Sequence, residues 1–440
     1  MTIESEPTSS PKATEPAEQS TSTKAGGNQR SLHPSALRDA IPATGLREYW
    51  YPGILEHKVK AKRPTTLKIC GTDVVFFRGE KGVAAVADAC PHRGGALSRG
   101  KCEFPGTITC PYHGWTFDSE GECRAVLGEG PTSRIPGMPE ARVRTYPTLT
   151  LKGVVWVWMG EGEPAPPEHD IPPQFFDDSL LIQNSVTTWD CNWRPACENM
   201  IDSHVFYVHR RSFFFMMLMP VNLLLNLSNI GPRRPRPRVI EGRGVAYEAK
   251  QLNFTVKGSA MSDKAPEPET KQWPPRDSYQ DVYPGLDNQK WPKDHWRLPW
   301  AGIVSRVQQL RKPVKPLITD QEWNNFHLPA TFQVDYMRYL YSRLTVPIDE
   351  NTSRIFYFHT TRRRGTLHNL LGKVYFEVFH NWMINYNFSG QDEDVVQPLH
   401  YDTPEHLSAT DVFPLTIRRA MVENARRPAP ATNNNGRGRK

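Results

Sequence analysis

Apolar and aromatic residues broken by single polar ones mark three successive strands in the back half of the chain: Thr331-Phe-Gln-Val-Asp-Tyr336, Tyr339-Leu-Tyr-Ser-Arg-Leu-Thr-Val346 and Arg354-Ile-Phe-Tyr-Phe-His-Thr360. Pro347-Ile-Asp-Glu-Asn-Thr352, between the last two, is rich in turn formers. This part therefore reads as an antiparallel sheet flanked by helices. Nearer the front, Gly82-Val-Ala-Ala-Val-Ala-Asp88 and Trp115-Thr-Phe-Asp-Ser-Glu-Gly121 also read as strands with a turn. Asn192-Trp-Arg-Pro195 opens a segment running to His209, and proline suits the first turn of a helix, so a helix is expected there. The pattern predicts an α+β chain: an all-β unit over 45–165, then a sheet-and-helix unit over 166–425.

The flanks differ in composition. Residues 1–44 are rich in Ser, Thr, Pro, Ala and Glu with almost no aromatic side chains, and cannot bury enough surface to order themselves. Residues 426–440, rich in Arg, Pro and Asn, read the same way. Within the second unit, 258–311 mixes Pro, Asp, Lys and four tryptophans without periodicity, which reads as a long surface insertion. The most apolar run, Ser212-Phe-Phe-Phe-Met-Met-Leu-Met219 with Leu223 to Leu225, is interrupted by Pro220 and Asn222. It falls short of the roughly 20 residues a membrane span needs, so core or pocket lining is expected. Met1-Thr-Ile-Glu-Ser-Glu carries neither a basic nor an apolar leader region, which makes the cytoplasm the expected location.

The formal charge of +7 is partly concentrated in Arg233-Arg-Pro-Arg-Pro-Arg238, in Arg362 to Arg364 and in the tail. No nucleic-acid motif accompanies these runs, so nucleic acid is not an expected partner. A docking face for an acidic electron-transfer protein fits them better.

Chemistry enters with Cys90-Pro-His92 and, after seventeen intervening residues, Cys110-Pro-Tyr-His113. Two thiolates on one iron and two imidazoles on the other are the ligand set of a Rieske [2Fe–2S] cluster. Thiolate and imidazole also suit zinc, but the flanks read as strands where a zinc finger usually continues into a helix. Each half ends in glycine, Gly94-Gly95 and Gly114, which lets a loop tip close with its N–H groups toward sulfur. Gly95 and Tyr112 stand where respiratory-type Rieske proteins place two further cysteines, so no disulfide braces the loops. Two of seven cysteines committed to a metal, with no paired spacing among the other five, suit a reducing compartment.

A second metal is suggested by His204 and His209, with a carboxylate far downstream in Phe388-Ser-Gly-Gln-Asp392-Glu-Asp394. Two imidazoles and one carboxylate on one side of a metal form the facial triad of non-haem Fe(II) enzymes that activate O2. On an ideal helix the two histidines diverge by about 140°, so the helix must loosen or end near them. Two satisfied core histidines are the alternative reading.

Tyr49-Trp-Tyr-Pro52, the two Cys/His boxes, Trp189-Asp-Cys-Asn-Trp-Arg194, Glu198-Asn199, Asp202, His209 and Val346-Pro-Ile-Asp-Glu-Asn351 together resemble the oxygenase (α) component of Rieske non-haem iron oxygenases over roughly residues 46–425. Within that family the chain is most similar to the carbazole 1,9a-dioxygenase type. The resemblance implies a Rieske β-domain followed by a helix-grip catalytic domain, with one [2Fe–2S] cluster and one mononuclear Fe(II) per chain. It implies His204, His209 and Asp392 as iron ligands, Asp392 because Gln391-Asp392-Glu-Asp-Val-Val fits the family's end motif, with Asp394 its competitor. It implies a homotrimer, electrons from a separate ferredoxin or NAD(P)H-dependent reductase, O2 as co-substrate and an apolar small-molecule substrate. It implies that Asp202 bridges to a Rieske histidine of the neighbouring subunit. Here the chain departs from the family's D-x2-H spacing, since only Ser203 separates Asp202 from His204. On a regular helix that pair would diverge by about 200°.

Overall fold

The computed structural model describes residues 34–200, 325–336, 339–407 and 411–427, with short pieces at 202, 204, 208–209, 212–213, 237–240, 244–247 and 317. The expected 258–311 insertion, the apolar run beyond Phe213, Arg233 to Arg236 and the tails 1–33 and 428–440 lie outside the described residues.

The chain enters through helix α1 (Pro34–Ala40). The front part is then built from three antiparallel sheets. The ten strands are β1 (Trp50–Leu55), β2 (Thr65–Ile69), β3 (Thr72–Gly79), β4 (Gly82–Ala87), β5 (Ile108–Thr109), β6 (Trp115–Phe117), β7 (Cys123–Val126), β8 (Thr145–Tyr146), β9 (Thr148–Leu151) and β10 (Val154–Trp158). The sheet orders are β1-β10-β9, β2-β3-β4-β8 and β5-β6-β7. The small third sheet carries the Cys110 loop into β6, and β4 leads into the Cys90 loop.

The back part is one five-stranded antiparallel sheet with helices. Its elements begin with β11 (Leu180–Trp189) and α2 (Trp193–Glu198). A separate hairpin, β12 (Pro237–Ile240) with β13 (Gly244–Tyr247), comes next. β14 (Asn325–His327), β15 (Thr331–Tyr336), β16 (Tyr339–Pro347) and β17 (Ser353–Arg362) complete the sheet in the order β11-β17-β16-β15-β14. All three sequence-predicted strands are present, and the expected turn joins β16 to β17. The two-residue strand period divides the sheet's faces. Leu344, Val346, Phe356 and Phe358 face a core shared with Trp156 of the front part and with Phe175, which precedes β11. Tyr341, Ile355 and Tyr357 face a second core with Trp189, Met383 and Ile384.

That second core is closed by one continuous helix from Thr366 to Val396, which opens as α3 (Thr366–Tyr375) and ends as α4 (Ser389–Val396). Between them, Phe376–His380 and Trp382–Phe388 are π-helical. The Asn381 N–H donates to Phe376 O and the Ser389 N–H to Ile384 O, each five residues back. A last helix, α5 (Val412–Asn424), precedes the end of the described chain. No helix among the described residues is long and apolar enough to cross a membrane.

Both flank expectations are corrected at their inner edges. Residues 34–44 are folded: Leu37 and Ile41 are buried, and Trp193 Nε1 and Asn192 Nδ2 donate to the carbonyls of Pro42 and Ala43 at 3.0 Å each. Two apolar residues four apart anchor this turn of helix, a signal that bulk composition hides. At the other end Arg426 is bound rather than solvated. Its guanidinium pairs with the buried Asp170 carboxylate and lies over the Tyr49 ring at 4.2 Å. A buried carboxylate needs a partner, and this arginine supplies it.

Candidate metal centres and the family they define

The two Cys/His loops are near copies of each other in backbone. The Gly94 N–H donates to Cys90 O at 2.8 Å and the Gly114 N–H to Cys110 O at 3.1 Å. In return the Cys90 N–H donates to Gly95 O and the Cys110 N–H to Trp115 O, both at 2.8 Å. Gly94 and Gly114 sit at φ +70° and +71°, the left-handed conformation that turns each loop back on itself. The histidine falls two residues after the cysteine in one loop and three after it in the other, so the imidazoles approach from different points and meet at 4.7 Å between ring centroids. His92 stacks on Trp115 at 5.0 Å, and Arg93 lies 5.8 Å over the Tyr112 ring. These contacts brace the tips where no disulfide can.

Cys90 and Cys110 are buried, His92 is exposed and His113 half-buried. Burial pushes the Cys90 thiol up to about 12, so its thiolate forms only with a cation to stabilise it. Two inner thiols and two outer imidazoles suit a two-iron cluster whose histidine side faces outward.

The second centre is assembled from elements far apart in sequence. Asn192 caps α2, its side chain accepting from the Arg194 N–H, and Pro195 lies in the helix's first turn as the sequence predicts. The helix ends at Glu198. His204 and His209 follow in looser structure, where the Val208 N–H donates to His204 O and the Ser212 N–H to His209 O. His204 Nε2 and His209 Nε2 lie 2.9 and 3.0 Å from the same Asp392 oxygen, Oδ1. One ligand atom from each of the three lies within 4.8 Å of the others. Asp394, by contrast, is exposed.

His209 and Asp392 are buried and His204 nearly so. Burial alone would raise the Asp392 pKa, but the imidazoles of His209 and His204 hold the carboxylate well below its usual range. An anionic oxygen facing two imidazole nitrogens in a dry pocket is the donor set of a facial-triad metal. The surroundings fix each ligand. His209 stacks on Phe388 at 3.6 Å, and its Nδ1 lies 3.3 Å from Gln391 Oε1. Asn199 Nδ2 reaches His204 Nε2 at 3.2 Å and Asp392 Oδ1 at 3.4 Å. On the far side of the ring, His204 Nδ1 is buried with no hydrogen-bond partner, and the nearest carboxylate oxygen is Asp202 Oδ2 at 3.9 Å. Asp202 and His204 both lie beyond the end of α2 at Glu198, in a bend and a turn.

Gln391 adjoins a predicted ligand, whereas nothing in its spacing marks Arg343, whose Nη1 lies 3.5 Å from Asp392 Oδ2. Of the aromatic residues suited to line an apolar pocket, Phe213 packs between Phe379 and Trp382, at 5.7 and 5.8 Å. Trp382 is exposed, and Phe206, Phe214 and Phe215 lie outside the described residues.

Comparison with known proteins agrees with this geometry. Residues 49–147 match the Rieske [2Fe-2S] domain family, and residues 158–239 match the family described as homotrimeric ring hydroxylase. The chain thus carries a Rieske [2Fe-2S] domain followed by a segment of the homotrimeric ring hydroxylase family. Among characterised relatives it is 33% identical over 209 residues to the terminal oxygenase component of carbazole 1,9a-dioxygenase from Metapseudomonas resinovorans, covering 46% of this chain and 54% of that one. The chain thus spans about half the length of the curated relatives it matches. In fold it is similar to the terminal oxygenase of carbazole 1,9a-dioxygenase from Nocardioides aromaticivorans, with a TM-score of 0.63, 22% identity and coverage of 88% and 97%. It is similar also to the oxygenase of a reduced oxygenase–ferredoxin complex of carbazole 1,9a-dioxygenase, with a TM-score of 0.62, 21% identity and coverage of 90% and 96%.

Proposed function

We propose that the chain is a terminal oxygenase that hydroxylates, dihydroxylates or oxidatively dealkylates an apolar, aromatic or polycyclic small molecule. It would work as a cytoplasmic homotrimer, with electrons from a separate ferredoxin or NAD(P)H-dependent reductase. One observation carries this reading: His204, His209 and Asp392 converge on one point in a chain that also carries the Rieske loops. Cys90, Cys110, His92 and His113 would hold a [2Fe–2S] cluster that stores one electron, and His204, His209 and Asp392 an iron that activates O2.

The remaining residues orient and insulate. Gln391 fixes His209 through Nδ1, leaving Nε2 for the metal. His204 presents Nε2 to the centre only when its proton sits on Nδ1, the atom facing Asp202, and a carboxylate there favours that tautomer. Asp202 would then link the iron ligand to a Rieske histidine of a neighbouring subunit. Phe388 and Phe213 keep the inner wall apolar, which suits an apolar substrate.

The test is metal analysis together with turnover. The reading expects about three irons per chain and acid-labile sulfide, and oxidation of an aromatic panel when ferredoxin and reductase are supplied. Two irons per chain with no turnover would mark an electron carrier instead, and zinc without sulfide would end the Rieske assignment.

A further inference from the structure

Arg343 lies in the middle of β16, on the same face as Tyr341 and with its side chain almost wholly buried. A buried guanidinium is costly unless its donors are satisfied, so its partners show what the position is for. Nη2 donates to the carbonyl of Ala196 in α2 at 3.2 Å. Nη1 donates to Asn199 Oδ1 at 3.3 Å and lies 3.5 Å from Asp392 Oδ2. The guanidinium carbon stands 4.3 Å over the Trp189 ring of β11. One cation thus touches the sheet, the helix leading to His204 and the helix carrying Asp392.

The two Asp392 oxygens have different neighbours. Oδ1 faces His204, His209 and Asn199, and Oδ2 faces Arg343. A carboxylate free on both oxygens can chelate a metal and fill two positions, whereas one whose second oxygen is held by a cation offers one. We propose that Arg343 is a positioning residue that holds Asp392 Oδ2 away from the metal and makes the carboxylate a one-oxygen ligand, so that a coordination position stays open. By also holding Asn199 Oδ1, it turns the Asn199 Nδ2 donor toward Asp392 Oδ1. This rests on the reading of His204, His209 and Asp392 as ligands.

The experiment uses the full-length protein with its cluster in place and Co(II) in the second centre, because Co(II) visible absorption weakens as coordination number rises. Arg343→Met is expected to lower the Co(II) band intensity severalfold, with the Rieske spectrum unchanged. Arg343→Lys, which keeps the charge without the planar fork, is expected to recover part of that intensity. Wild-type band intensity in a folded Arg343→Met would overturn the proposal and leave Arg343 a packing residue. If Arg343→Met does not fold, Arg343→Lys decides alone: a wild-type spectrum overturns the proposal and a weakened one supports it. Failure of the underlying reading looks different, since Asp392→Ala would then bind Co(II) as well as the parent does.

Discussion

The two metal centres are built on opposite principles. The Rieske loops carry four proposed ligands within residues 90 to 113, and each loop is closed by its own backbone through the same pair of hydrogen bonds. The second centre draws its proposed ligands from positions up to 188 residues apart, where side chains contact them: Gln391 on His209, Asn199 on His204 and Asp392, Arg343 on Asp392. The first depends on local conformation. The second depends on whether a sheet and two helices have met, and a defect in any of them reaches the metal.

Ligand removal should separate the centres most sharply. His204→Ala, His209→Ala and Asp392→Ala are each expected to abolish turnover and lower iron from about three to about two per chain, with the Rieske electron-paramagnetic-resonance signal intact. Cys90→Ser or His113→Ala should do the reverse, removing that signal and the red-brown colour. Asp394→Ala is expected to change neither, given its exposure. If it instead removes the iron, the ligand register at the end motif is off by two residues.

Asp202→Asn should act on the connection rather than on either end. Both metals stay, and cluster oxidation in a single turnover is expected to slow by about tenfold to a hundredfold, as loss of a ligand-orienting partner commonly does. An unchanged rate in an intact trimer would move the link elsewhere, with Glu198 and Asn199 the next residues to substitute.

The loop glycines offer a finer comparison within one centre. Gly94 and Gly114 share a positive φ, but an added Cβ at Gly94 meets nothing within 4 Å, whereas at Gly114 it comes within 2.7 Å of the Leu127 side chain. Gly94→Ala should therefore cost only the left-handed strain, about 1 kcal/mol. Gly114→Ala should cost more, about 2–3 kcal/mol, read as a lower temperature of cluster bleaching. Equal shifts in the two variants would show that the Cys110 loop yields more readily than its packing suggests.

This contrast also explains what can be read without coordinates. The Rieske loops are legible because ligand type, spacing and glycine position are all local. The strands of the second sheet are legible from their composition, and His204, His209 and Asp392 from residue type together with the family resemblance. Arg343 is not, because an arginine inside a strand carries no mark until the fold sets it against a carboxylate 49 residues away. The long helix from Thr366 is likewise hidden. Leu367, Leu370, Leu371 and Val374 make an apolar stripe there, but all four are exposed, so its pattern does not point to the core. At both ends, average composition conceals single residues, Ile41 and Arg426, that find buried partners.

The π-helical stretches set a constraint on length. Where backbone bonds skip five residues, a helix accommodates an extra residue without breaking, and everything downstream is rotated relative to an uninterrupted α-helix. Asp392 lies just beyond two such stretches. Deleting one residue between Phe376 and Phe388 and letting the segment relax to ordinary α-geometry would turn the carboxylate by about 100°, away from both histidines. The helix thus carries a constraint of number as well as of kind: the count of residues between Phe376 and Phe388 sets the direction in which Asp392 points.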